Sequence, residues 1–148
     1  MISGLLLAMA VQSQVQLQSL LPAAGMVQKD QLWNMLLVNG AGREISGYLQ
    51  LTLRNRQTGI EELNAATAYF TVPKNGLLLN AHKAGPVQYN YITADPAALL
   101  NGLLPAGAYQ ACYAFMQQAG EKYEIAAEEC VAFDVEPLSP PLLVFPAD

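Results

Sequence analysis

The sequence predicts an all-β domain, an antiparallel β-sandwich of seven or eight strands, and three observations predict it. Apolar and polar residues alternate over short runs, the period of a strand with one buried face. Turn signals built from Gly, Pro and Asn separate these runs about every ten residues, the spacing of sandwich strands. Only one stretch reads as a helix, and it is short. The 148 residues suit one domain, and 53% apolar against 13% charged residues argue for a folded chain with a core.

Residues 1–13 read as a secretory signal peptide. Ile2 to Val11 is an uncharged apolar run, and the small residues Ala8, Ala10 and Ser13 place cleavage after Ala10 or Ser13. The run is shorter than the ~20 apolar residues that span a bilayer, so no transmembrane segment is expected. It departs from the signal pattern in having no Lys or Arg ahead of the apolar run.

Residues 14–136 are expected to form the sandwich. Val15 to Leu21 alternates and stops at Pro22, and Leu32 to Val38 is a second strand closed by the turn signal Asn39-Gly40. The clearest alternation puts Leu49, Leu51 and Leu53 on one face and Tyr48, Gln50, Thr52 and Arg54 on the other. Ala66 to Val72 ends at Pro73, Asn75-Gly76 turns the chain into an apolar strand from Leu77, and Pro86 to Ile92 alternates with Val87, Tyr89 and Tyr91 on one side. Asp95 as N-cap, Pro96 at the first helical position and Gly102 as C-cap predict a short helix near 96–101. The last two strands fall near Ala108 to Met116 and Tyr123 to Val135. Residues 137–148 are a proline-rich exit or docking tail.

Charge excludes some functions. Seven basic against twelve acidic residues, net −5, supply no basic face for nucleic acid or an anionic membrane. Two cysteines and the single His82 fall short of a structural zinc set, so no metal or cofactor is expected. Glu61, Glu62, Glu121, Glu124, Glu128 and Glu129 read as solvated faces. A glycoside-hydrolase site would need two of them within about 10 Å in a cleft. Nothing resembles a nucleophile elbow or a phosphate loop, and no catalytic residue is assigned. Trp33 and the tyrosines offer a second reading, a carbohydrate-binding sandwich.

Cys112 and Cys130 lie 18 positions apart, and a hairpin that paired them would turn at Gly120–Glu121, the strongest turn signal between them. Directly opposed residues at a non-hydrogen-bonded site have close Cβ atoms, so a disulfide fits there. The same pairing sets Glu129 beside Tyr113 and predicts a bulge or fraying near Glu128–Glu129. Upstream, Leu104, Pro105, Gly107 and Tyr109 have the pattern of a tyrosine corner, in which the hydroxyl bonds back to nearby backbone. With the strand pattern and the cysteine pair, the expected fold is an Ig-like or fibronectin type III-like sandwich, although Tyr109 lies three residues before Cys112 where antibody-type domains have two. The corner points Tyr109, Ala111, Tyr113 and Phe115 inward and puts the disulfide on the opposite face.

Leu104, Pro105, Gly107, Tyr109, Cys112, Cys130, Phe133, Pro140 and Pro141 together resemble the N-terminal, TANFOR-associated module of large Bacteroidota surface proteins that use type nine secretion. The resemblance covers roughly residues 95–146 and implies a secreted, cell-surface or outer-membrane setting, fibronectin type III-like neighbours and no catalytic residues. In that pattern the Pro-Pro exit leads into a further domain. Leu142, Leu143, Val144 and Phe145 form an uncharged β-prone run, expected to pair with an edge of its own sheet or to dock on a protein partner or adjacent domain.

Overall fold

The computed structural model describes residues 14–93 and 102–137. The signal segment, the helix expected at 96–101 and the docking run Leu142 to Phe145 lie outside the described residues. The described residues form ten strands: β1 Val15–Ser19, β2 Ala24–Gly25, β3 Met35–Asn39, β4 Ile45–Asn55, β5 Glu61–Ala66, β6 Phe70–Val72, β7 Leu77–Leu79, β8 Gln88–Tyr91, β9 Gly107–Ala119 and β10 Lys122–Val135. Three of them, in the order β1-β3-β7, make a small sheet; the rest make a large one ordered β2-β10-β9-β4-β5-β8, with β6 on the other part of β4. Pairing is antiparallel except where β2 runs parallel to β10 at Asp134 and Val135.

The two sheets close over one core, so the fold is an all-β sandwich. Leu49, Leu51 and Leu53 from β4, Tyr109, Ala111, Tyr113 and Phe115 from β9, and Met35 and Leu37 from β3 are all buried in it. These residues are spaced by two because successive side chains of a strand point to opposite faces. With β1, β3 and β7 taken as A, B and E and β5, β4, β9 and β10 as C′, C, F and G, the order is that of an Ig-like sandwich.

Several elements differ from the sequence reading. Leu32 and Trp33 do not begin a strand. They close a 3-10 turn over Lys29–Trp33, whose entry is held by Gln28 N–H donating to Gln31 Oε1 at 2.7 Å. Asn39-Gly40 is no tight hairpin, since β3 and β4 belong to different sheets. The Asn39 side chain instead donates to the carbonyls of Arg43, Val72 and Pro73 and accepts from Ala41 N–H, fixing the corner between the sheets. The run Ala66 to Val72 is split, because Thr67 turns its hydroxyl onto Leu49 N–H at 2.9 Å and ends β5. Strands β2 and β5 were not foreseen, β5 because Glu61, Glu62 and Asn64 interrupt its apolar pattern.

Candidate functional site

The β9–β10 hairpin carries the residues that the sequence singles out. Gly120 adopts φ 68° and Glu121 does not follow it into the left-handed region, the glycine-first pattern of a type II′ turn, which suits two antiparallel strands. Cys112 and Cys130 face each other in register, 4.0 Å apart at Cα, and are disulfide-bonded. The bond lies on the outer face, with Cys130 exposed and Cys112 half-buried. Behind it, the inner face is packed. Phe133 stacks on Tyr109 with ring centroids 5.7 Å apart.

At the hairpin's open end the Tyr109 hydroxyl donates to the Pro105 carbonyl at 2.7 Å. This bond pins the segment that enters β9, and Leu104 N–H donates to Val27 O at 2.9 Å beside it. Burial makes the phenolate costly, so the Tyr109 hydroxyl is pushed up to about 12. Tyr113 is raised too, first by burial; its hydroxyl donates to Leu32 O at 2.6 Å, joining β9 to the 3-10 turn.

The register breaks once, and not at Glu128–Glu129. Paired residue numbers sum to 242 between Gly107 and Phe115, and to 241 from Met116 to the turn, because Ala126 is bulged out. Glu129 stays opposite Tyr113, since its carboxylate accepts Ser19 N–H at 3.0 Å where β1 meets β10. The bulge reverses side-chain parity beyond it. Ala127, Glu129, Val131 and Phe133 follow the inner face, whereas Ile125 and Tyr123 pair with Met116 and Gln118 on the outer one. Tyr123 meets Tyr48 of β4 edge-to-face at 5.2 Å. The result is an outward patch of Tyr48, Met116, Tyr123 and Ile125, in which Tyr123 and Ile125 are 45% and 54% exposed. Sequence reasoning missed this patch, because plain alternation from Phe133 sends Ile125 and Tyr123 inward.

The other candidates are not brought together. Glu121, Glu124 and Glu128 are exposed on the hairpin, while Glu61 and Glu62 sit on β5, three strand spacings or about 14 Å across the sheet. Among the described residues no group of three or more His, Cys, Asp or Glu side chains is placed to hold a metal ion. His82 is exposed at the rim of a shallow depression of ≈ 420 Å³ that Lys29, Asp30, Trp33 and Tyr89 also line. Trp33 is 0% exposed, with its indole N–H donating to Tyr89 OH at 2.6 Å. Tyr89 itself has Lys29 Nζ 5.1 Å from its ring centroid and the near-parallel ring of Tyr91 at 5.9 Å. The fully buried Trp33 offers no ring face to a sugar, which counts against a carbohydrate site built on it. No family model matches the chain, and searches of curated proteins and of solved structures give no significant match either.

Proposed function

We propose that the chain is a non-catalytic module exported to the cell surface, where it has a structural, adhesive or assembly role beside a protein partner or a neighbouring domain. The observation that carries this reading is the disulfide across the β9–β10 hairpin. It lies on the outer face with Cys130 exposed, within reach of any thiol buffer, so it persists only in an oxidising compartment. The apolar run ahead of residue 14 supports export, and the resemblance to Bacteroidota surface modules supports the setting. The hairpin serves as scaffold: the tyrosine corner fixes its open end, the disulfide fixes its middle, and the turn end presents side chains outward.

N-terminal sequencing of the protein recovered from cells that make it tests the export half of this reading. The mature chain is expected to begin at Val11 or Gln14. A chain still carrying residues 1–13 and found in a reducing compartment contradicts it.

A further inference from the structure

We propose that Asn75 is a site of spontaneous modification in the folded protein, converting through a cyclic imide to aspartate and isoaspartate while Asn39 is protected, and that isoaspartate at 75 loosens the corner between the two sheets. The chemistry needs only water, so it depends neither on the compartment nor on a partner.

The reaction needs an asparagine side chain free to fold onto the next backbone nitrogen, and it is fastest when that next residue is glycine, which has no Cβ to hinder the approach. Among the described residues there are two Asn-Gly pairs, at 39–40 and 75–76. Their surroundings are opposite. Asn39 is 8% exposed; its Nδ2 donates to the carbonyls of Arg43, Val72 and Pro73, and its Oδ1 accepts from Ala41 N–H. To reach the Gly40 nitrogen it would have to abandon all of these bonds. Asn75 is exposed in the turn between β6 and β7, and no hydrogen bond holds its side chain. The fold also fixes glycine after it. Gly76 has φ +89°, and a Cβ there would lie 2.5 Å from the Leu37 carbonyl oxygen. The Gly76 N–H closes the turn onto Pro73 O at 2.9 Å, beside the exposed Pro73, Lys74 and Asn75. A surface turn of this kind opens more readily than a buried cluster.

In the first step the Gly76 nitrogen bonds to Asn75 Cγ, the bond from Cγ to Nδ2 breaks, and Nδ2 leaves as ammonia with the Gly76 amide proton. Water then opens the imide at either carbonyl. Opening at Cγ restores the ordinary backbone with aspartate; opening at the backbone carbonyl leaves isoaspartate, whose main chain runs through Cγ. Nothing is oxidised or reduced, and either product adds a negative charge to a chain already at net −5. The link to the corner is Pro73 O, which accepts both Gly76 N–H and Asn39 Nδ2, the latter at 3.0 Å. A longer main chain at 75 draws Gly76 N–H off that carbonyl and shifts the acceptor that Asn39 uses where β6 of the large sheet passes to β7 of the small one.

The test incubates the full-length, disulfide-intact protein in warm, mildly alkaline buffer and follows each asparagine by peptide mapping, with electron-transfer fragmentation to separate aspartate from isoaspartate. A reduced sample in guanidinium gives the rate of each Asn-Gly pair without the fold. Asn101, which lies outside the described residues, is mapped apart. In the native protein Asn75 is expected to give both products, and Asn39 to react at least about tenfold more slowly, because its hydrogen bonds must break first. In guanidinium the two rates should converge. The isoaspartate form, separated by anion exchange, should unfold at lower urea than the fresh protein, and incubated Asn75→Ser should show no such loss. Asn39 converting as fast as Asn75 in the native protein, or Asn75 keeping its amide there while it turns over in guanidinium, overturns the proposal. An isoaspartate form as stable as the fresh protein overturns its coupling to the corner.

Discussion

Tyr109 does two jobs with one side chain. Its ring fills the core against Phe133, and its hydroxyl holds the Pro105 carbonyl. Tyr109→Phe keeps the first and removes the second, leaving a carbonyl unpaired; the expected loss is about 1–2 kcal/mol in urea unfolding. The same residue sets a pH dependence. In the unfolded chain the phenol ionises near 10, while in the folded protein burial holds it protonated to about 12. The unfolded state therefore loses its proton first. The contribution of Tyr109 to stability is constant below pH 10 and falls as pH rises toward 12, so the loss of stability over that range should be shallower in Tyr109→Phe than in the parent. Gly47 makes a different kind of demand. A Cβ there would collide with the Met116 carbonyl oxygen of β9 and lie 2.9 Å from Phe115 Cζ. Gly47→Ala must push the strands apart, at a cost of about 3 kcal/mol measured by thermal or urea unfolding.

Among elements, the β9–β10 hairpin shows how far a sequence can be read. Replacing both Cys112 and Cys130 by Ser should lower stability by about 3 kcal/mol, the loop-closure contribution of an 18-residue separation, with the fold retained in circular dichroism. The pairing of those cysteines, the inward face of Tyr109, Ala111, Tyr113 and Phe115, and the corner at Pro105 were legible because each depends on local spacing. The Ala126 bulge was not. Nothing in the order of residues 124–128 announces an extra residue, and a single insertion flips the facing of all that lies beyond it. For the same reason the Tyr48, Met116, Tyr123 and Ile125 patch was invisible: it joins β4 to a strand whose parity had changed. Trp33 illustrates the reverse error. Its neighbours Leu32, Met35 and Leu37 suggested a continuous strand, yet packing under β8 and the bond to Tyr89 draw it into a 3-10 turn. Asn39-Gly40 misled as well, because a turn dipeptide does not say whether the strands it separates share a sheet.

The whole molecule joins a narrow sheet of β1, β3 and β7 to a wider one built around β4, β9 and β10, and its longest strands are the two that the disulfide links. At the hairpin's turn end Tyr123 and Ile125 are exposed on the outer face, beside the exposed Glu121, Glu124 and Glu128. The central claim is that this domain belongs to an oxidising compartment and is stapled there between Cys112 and Cys130. Thiol titration of the protein, isolated from the cells that make it with free thiols blocked at lysis and then unfolded without reductant, tests that claim most directly. The account predicts no titratable thiol before reduction and two after it, with one cross-linked peptide pair on digestion. Two thiols already free in the isolated protein would contradict it.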